Sequence, residues 1–267
     1  MNKLTTKSIS ALKGKRKIVV LTAYDFPSAK LVDEAGIDIV LVGDSVGMVS
    51  LGYESTLPVT MEDMLHHTRA AKRAVKHALL VTDMPYGSYR NVGSAVKNAK
   101  SLIQEGGADA VKLEGGGDVL SQVKAIVRTG IPVMGHLGML PQSIQEVGGY
   151  KVKGKTKEEA DRILDEAVEL ERAGVFSLVL ECIPVSLAER VSKRIKIPTI
   201  GIGAGPETDG QVLVFHDVLG LESPVSPRFV RRYADLSSMI KKALDQYRSD
   251  VLAGKFPSQK ESFGNGQ

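Results

Sequence analysis

Eight short apolar runs, most of them rich in β-branched residues, recur along the chain at Lys17–Tyr24, Asp38–Gly43, Leu79–Thr82, Ala110–Leu113, Pro132–His136, Ser177–Glu181, Pro198–Ile202 and Val212–His216. Between most of them apolar residues return at helical spacing, over Ser28–Glu34, Thr60–His77, Val92–Glu105, Val119–Arg128, Lys157–Ala173 and Val185–Arg194. The order is strand, helix, strand, helix throughout. Local punctuation agrees: Thr60 with Asp63 resembles a capping box, Thr156 with Glu159 fits one better, and Gly106-Gly107, Gly130 and Gly174 follow helices where a left-handed residue is wanted. The segments EAGID, EGGAD and RAGVF mark successive helix-to-strand turns. Eight such units predict an α/β fold of the closed (β/α)8 TIM-barrel type, because an open sheet would leave two edges to explain. No Pro- or Ser-rich linker divides residues 1–267, so one domain is predicted.

Two stretches break the rhythm. Gly47–Pro58 and Gly138–Gly154 are long, glycine-containing segments after the second and fifth strands, the kind of loop that covers a barrel mouth. Met1–Gly14 is expected to close the barrel bottom, and Phe229–Leu252 reads as a long amphipathic helix that packs on its own barrel or on a neighbouring subunit. Residues 262–267 are expected to be a disordered tail.

Composition narrows the class without choosing a function. Hydrophobic residues make up 43%, charged residues 25%, and the mean hydropathy is -0.03, values of a globular protein able to bury a large core. The single cysteine, Cys182, cannot form an internal disulfide and lies in an apolar run, so a buried, inert thiol in a reducing compartment is expected. A polar N-terminus and an apolar stretch interrupted by Asp25 give no signal peptide or membrane span, which predicts a cytoplasmic protein. The net charge of +4 is spread over residues 13–17, 151–157, 190–196 and Arg231-Arg232, with no aromatic interleaving; nucleic acid is not an expected partner.

The chemistry lies at strand ends. Asp44, Asp83, Glu114 and Glu181 each close an apolar run, and isolated buried carboxylates are too costly to keep ionised unless something cationic faces them. In Ala110–Glu114 a period of two puts Val111 and Leu113 on one face and Lys112 and Glu114 on the other. In a barrel the apolar pair meets the helices, so the charged pair points inward near the C-terminal rim, where barrel enzymes keep their active sites. Hard oxygen ligands with little histidine and no cysteine select Mg²⁺ over zinc. Glu181, sharing its inward face with Ser177 and Val179, is a candidate general base in an apolar surround. His136 is read as a donor to a substrate oxygen or a satisfied core histidine, and Lys112 as a point charge for a carboxylate or oxyanion. Gly201–Gly205 could form a phosphate loop or a tight turn, and His66, His67 and His77 are read as surface or packing residues.

The runs LTAYD, VLVGDSVGMVSLGYESTLPVTMEDM, VTDMPYGSY, AVKLEGG, PVMGHLGMLPQ, LVLECIP and PTIGIGAG, in this order, resemble the ketopantoate hydroxymethyltransferases over nearly the whole chain. The resemblance implies a barrel of the phosphoenolpyruvate/pyruvate type, Mg²⁺, and 5,10-methylenetetrahydrofolate as one-carbon donor to 3-methyl-2-oxobutanoate. It places Asp44, Asp83 and Glu114 around the metal, Asp44, Ser45, Asp83, Lys112 and His136 at the oxo acid, and Glu181 as proton acceptor on the way to a Mg-stabilised enolate. The product is 2-dehydropantoate, on the route to pantothenate, and the implied assembly is a homo-oligomer, a decamer in bacteria. Two other readings compete: a Mg²⁺-dependent C–C lyase of the isocitrate lyase-like superfamily, and a non-catalytic barrel that holds an anionic metabolite.

Overall fold

Eight strands close into one ring in chain order: β1 (Ile18–Thr22), β2 (Ile39–Val42), β3 (Leu79–Asp83), β4 (Ala110–Lys112), β5 (Val133–Gly138), β6 (Ser177–Glu181), β7 (Thr199–Ile202) and β8 (Gly210–Leu213). All neighbours run parallel, from Val20 opposite Ile39 in the first pair to Ile18 opposite Gly210 where the ring closes. The computed structural model describes residues 2–143, 152–221 and 227–264. Within them lie the α-helices α1 (Thr6–Ser10), α2 (Phe26–Glu34), α3 (Val46–Val49), α4 (Met61–Ala74), α5 (Val92–Gln104), α6 (Leu120–Arg128), α7 (Lys157–Ala173), α8 (Val185–Arg194), α9 (Phe215–Leu219) and α10 (Leu236–Leu252), with short 3-10 turns at Gly117–Val119, Pro141–Ser143 and Gln259–Glu261. The expected (β/α)8 barrel is the observed fold.

Strand alternation sorts the apolar residues into two cores. Ile18, Val20, Ile39, Leu41, Val81 and Met134 fill the barrel interior. Val40, Val42, Leu80, Val111, Leu113 and Leu178 point outward and pack under the helices. A shift of one residue in any strand would exchange the two sets, which is why the register is strongly specified. At the bottom, Ile9 of α1 joins the interior cluster with Leu4 and Leu12 against it.

The bottom edge has its own repeated device. Asp38, Asp109 and Asp209 each stand immediately before a strand and accept the backbone N–H of the strand before it: Val19 at 2.9 Å, Leu80 at 2.8 Å and Thr199 at 2.8 Å. Each also has a cation, Arg16, Lys3 and Lys13 respectively. Asp33 accepts the N–H groups of Lys76, His77 and Ala78, where the chain leaves α4 for β3. These aspartates satisfy strand starts that a parallel ladder leaves open.

Three elements end or begin three or more residues away from the sequence reading. The last strand is Gly210–Leu213, and the apolar residues after it turn into α9, because a short apolar run does not separate strand from helix. Helix α4 stops at Ala74, with Val75 extended and the next three N–H groups held by Asp33. The final helix starts at Leu236, where Asp235 caps it by accepting from Ser238 N–H at 3.3 Å, and not at Phe229. The two capping signals also exchange rank. Thr60 and Asp63 form a complete box, whereas the Glu159 carboxylate leaves Thr156 and accepts from Gly154 and Lys155 N–H. The turn glycines hold: Gly107, Gly130 and Gly174 have φ of 80°, 85° and 97°.

Among the described residues the ring of helices is incomplete over β8 and β1, where outward-facing Val19 and Gln211 are exposed. Helix α10 buries none of its residues.

Candidate active site

The ends of β2, β3, β4, β5 and β6 bring Asp44, Asp83, Lys112, Glu114, His136 and Glu181 to one mouth, and none of the six is more than 8% exposed. Gly43 makes the first approach possible: a Cβ there would lie 2.9 Å from Ser45 Oγ and 3.5 Å from Asp83 Oδ2. Asp44 can therefore donate its backbone N–H to Asp83 Oδ2 at 3.0 Å. Lys112 Nζ stands 2.8 Å from Asp83 Oδ1, as an inward side chain from the neighbouring strand. Ser45, predicted beside the oxo acid, shares a 2.8 Å hydrogen bond with the Tyr24 hydroxyl and lies at the same rim.

Charge crowding is the dominant electrostatic feature. Burial, together with the Asp83 and Glu114 carboxylates, holds the Asp44 carboxyl well above its usual range. Burial opposes the Lys112 charge, but three surrounding carboxylates outweigh it and push that ammonium up. Lys112 is thus a fixed cation among more negative groups than it can neutralise.

His136 joins the two sides of the lumen. Its Nδ1 lies 3.4 Å from Glu114 Oε1 and its Nε2 lies 3.2 Å from Glu181 Oε2. The contacts are electrostatic and not aligned hydrogen bonds, since neither ring nitrogen nor Glu114 Oε1 has a hydrogen-bond partner. Burial and Lys112 push the imidazole down, yet the two carboxylates win and raise it to about 9. The same imidazole and Lys112 overcome burial to hold Glu114 below its ordinary value. Glu181 was expected in an apolar surround. Its surround is instead partly charged, because β5 and β6 pair with His136 opposite Val179 and Gly138 opposite Glu181. Gly138 permits this, with φ of 101° and a virtual Cβ only 2.2 Å from the Glu181 carbonyl oxygen.

Three residues at the site escape the sequence reading. Tyr24 supports Ser45, while buried Gln142 and half-buried Tyr89 form a hydrogen-bonded network behind Asp44 and Glu114. Gln142 was visible only as one polar position in PVMGHLGMLPQ, and nothing in a single sequence says which way it points.

The donor set fits a hard divalent cation. Asp44 and Asp83 supply carboxylates from adjacent strands at a buried point of excess negative charge, which is what Mg²⁺ takes before completing its shell with water and substrate. Among the described residues no three His, Cys, Asp or Glu side chains form a ready chelating group. Glu114, predicted beside them, turns Oε2 to Gln142 N–H at 3.1 Å and Oε1 toward His136, so it contributes charge at the edge of that pair.

Other predicted features resolve into packing. Gly203 and Gly205 have φ of 61° and 80°, and a Cβ would strike Phe229 and Val185, so the glycine run is a tightly packed turn. His67 bonds the Tyr24 carbonyl at 2.7 Å and stacks edge-on with His66. Cys182 follows β6 at φ 49°, half-buried, its thiol pushed up to about 12 by burial and the Glu181 charge. Of the two loops expected over the mouth, the first contains α3, with Met48, Val49 and Thr56 lining a cavity of about 140 Å³ above the charged floor. Residues 144–151 of the second, and 265–267 of the expected tail, lie outside the described residues.

Comparison with known proteins adds a family. The family model described as ketopantoate hydroxymethyltransferase matches residues 3–259. Proteins named 3-methyl-2-oxobutanoate hydroxymethyltransferase from Nitratidesulfovibrio vulgaris (strain DP4) and Moorella thermoacetica are 54% and 53% identical; each alignment covers 98% of this chain, and 85% and 98% of the relative. The Thermus thermophilus protein of that name is 52% identical over 97% of this chain and 99% of its own. Among solved structures, phosphoenolpyruvate phosphomutase from Streptomyces platensis subsp. rosaceus superposes with a TM-score of 0.62 at 14% identity, covering 94% of this chain and 88% of that one. Phosphonopyruvate hydrolase in complex with oxalate and Mg²⁺ gives 0.62 at 13% identity, over 97% and 93%. These structural likenesses concern the fold alone.

Proposed function

The chain belongs to the ketopantoate hydroxymethyltransferase family and is an enzyme of the pantothenate-pathway reaction on 3-methyl-2-oxobutanoate; from that premise we propose how its barrel mouth carries the reaction. Asp44 and Asp83 hold Mg²⁺, and 5,10-methylenetetrahydrofolate supplies the one-carbon unit. The observation that carries this reading is the crowding of Asp83 and Glu114 on Asp44, which leaves a buried point where a divalent cation relieves repulsion. When bound, the ion would stabilise negative charge developing on the keto oxygen and so acidify C3.

The chain's own residues do the rest. Lys112, held charged by its neighbours, faces the substrate's anionic end, and Ser45, steadied by Tyr24, donates or accepts at the same rim. Glu181 takes the proton from C3, the carbon that then bonds to the one-carbon unit; the folate nitrogens give up that carbon, tetrahydrofolate leaves, and one water supplies the hydroxyl oxygen of the product. His136, between Glu114 and Glu181, fixes the Glu181 carboxylate and offers a proton to a substrate oxygen. The apolar rim of Met48, Val49 and Phe229 keeps bulk water from the deprotonated acid.

The working form proposed here is a cytoplasmic homo-oligomer, a decamer by family resemblance. In support, α10 displays Met239, Ile240, Leu244, Tyr247 and Val251 along one exposed stripe, and Val19 of β1 and Gln211 of β8 are exposed on the outer face of the barrel. Among the described residues no helix is long and apolar enough to cross a membrane.

A turnover assay with oxo acid and methylenetetrahydrofolate tests the reaction. Product formation that stops on chelation and returns with Mg²⁺ supports the reading; folate-independent cleavage of the acid would replace it with lyase chemistry.

A further inference from the structure

We propose that Gln142 is a positioning residue for the metal-binding carboxylates, a role that rests on the Mg²⁺ reading above. It is buried at 4% exposure just after β5, and every hydrogen-bonding group of its side chain is used. Its side-chain amide donates to Asp44 Oδ2 at 2.8 Å and to the Met84 carbonyl at 3.0 Å. Its side-chain carbonyl accepts from the Tyr89 hydroxyl at 2.5 Å. Its backbone N–H donates to Glu114 Oε2 at 3.1 Å.

The amide has one workable orientation. Both groups facing Nε2 are acceptors, so a flipped amide would set a carbonyl oxygen against a carbonyl and a carboxylate. Tyr89 accommodates that choice from the other side, its hydroxyl donating to the Gln142 oxygen. Tyr89 is itself anchored by Gln122 on α6, whose Nε2 donates to the Tyr89 carbonyl at 3.2 Å. One residue after β5 therefore ties together the end of β2 through Asp44, the turn after β3 through Met84 and Tyr89, and the end of β4 through Glu114.

The consequence for the metal is geometric. Gln142 donates to Oδ2 of the two Asp44 oxygens, which fixes the rotation of the carboxylate that would hold the ion. Glutamine suits the task because it neutralises nothing: it orients a carboxylate by donation while leaving the site's negative charge for the cation. A lysine or arginine there would compete with Mg²⁺.

Isothermal titration of Mg²⁺ into the chelator-stripped full-length protein, without oxo acid, tests this. Gln142→Ala is expected to weaken Mg²⁺ binding about ten-fold, which is about 1.4 kcal/mol. Tyr89→Phe removes only the support behind the amide and is expected to weaken it about three-fold. In the Gln142→Ala background, Tyr89→Phe should add nothing, a non-additivity that separate structural roles would not produce. Gln142→Glu, which sets a second carboxylate against Asp44, should bind Mg²⁺ no better than Gln142→Ala. A Gln142→Ala protein that binds Mg²⁺ within two-fold of the parent would overturn the proposal, as would additive losses. If Gln142→Ala does not fold, Tyr89→Phe decides alone, and unchanged affinity there overturns it. A parent chain that binds no Mg²⁺ instead removes the underlying metal reading.

Discussion

The two ends of this barrel handle acidic residues in opposite ways. At the bottom Asp33, Asp38, Asp109 and Asp209 are each matched to backbone N–H groups, and the last three to a basic side chain. At the mouth, Asp44, Asp83, Glu114 and Glu181 share one lysine and one histidine, and Glu114 Oε1 and both His136 nitrogens lack hydrogen-bond partners. Buried carboxylates alone do not mark an active site. What marks it is incomplete compensation, negative charge held in place by the fold and left for a ligand to neutralise.

The contrast can be broken by removing one carboxylate from each end. Asp83→Ala takes away the partner of Lys112 and of Asp44 N–H together. It should lower kcat/KM by at least about 10³-fold and abolish oxo acid binding, measured by turnover and by titration. Glu181→Gln keeps the shape of the mouth and should retain Mg²⁺ and oxo acid binding while losing about 10²- to 10⁴-fold in proton exchange at C3. Asp33→Ala, at the other end, should leave turnover per folded molecule nearly unchanged. It should cost about 1–3 kcal/mol of stability in denaturant unfolding, because three backbone N–H groups lose their acceptor.

Acid titration sharpens the same division. Burial raises Asp33 and Asp38, but backbone N–H groups outweigh it at Asp33, and Arg16 with Val19 N–H outweigh it at Asp38, so both titrate below their ordinary value. The unfolded chain then binds more protons than the folded one as pH falls below the normal aspartate range. Their stabilisation is therefore complete above about pH 4 and is lost as pH drops through the folded values. Asp33→Ala should flatten the acid limb of a melting-temperature profile. The smallest effect concerns Cys182: with its thiol pushed up to about 12, alkylation at pH 8 should be slower than for an unfolded control peptide.

Much of this was legible in the sequence, and the reasons are physical. Strand alternation placed Lys112 and Glu114 inward and Val111 and Leu113 outward, because a period of two leaves no other choice once one face must be apolar. Asp44, Asp83 and Glu181 followed from their place at strand ends. The partners that carry the geometry were not legible. His136 reaches Glu114 and Glu181 only because β5 lies between β4 and β6 in the closed ring, and Gln142 reaches Asp44 across 98 residues of chain. The paired bottom aspartates carry the same letter as the mouth aspartates, and only their side of each strand tells them apart.

Deuterium exchange at C3 of 3-methyl-2-oxobutanoate, followed by NMR without any folate, bears most directly on the mouth as a site of cation-assisted proton removal. Exchange is expected in the Mg²⁺-loaded parent, only at the uncatalysed rate after chelation, and slowed about 10²- to 10⁴-fold in loaded Glu181→Gln that still binds the acid. Exchange at the parental rate in the chelated protein or in Glu181→Gln would contradict that reading.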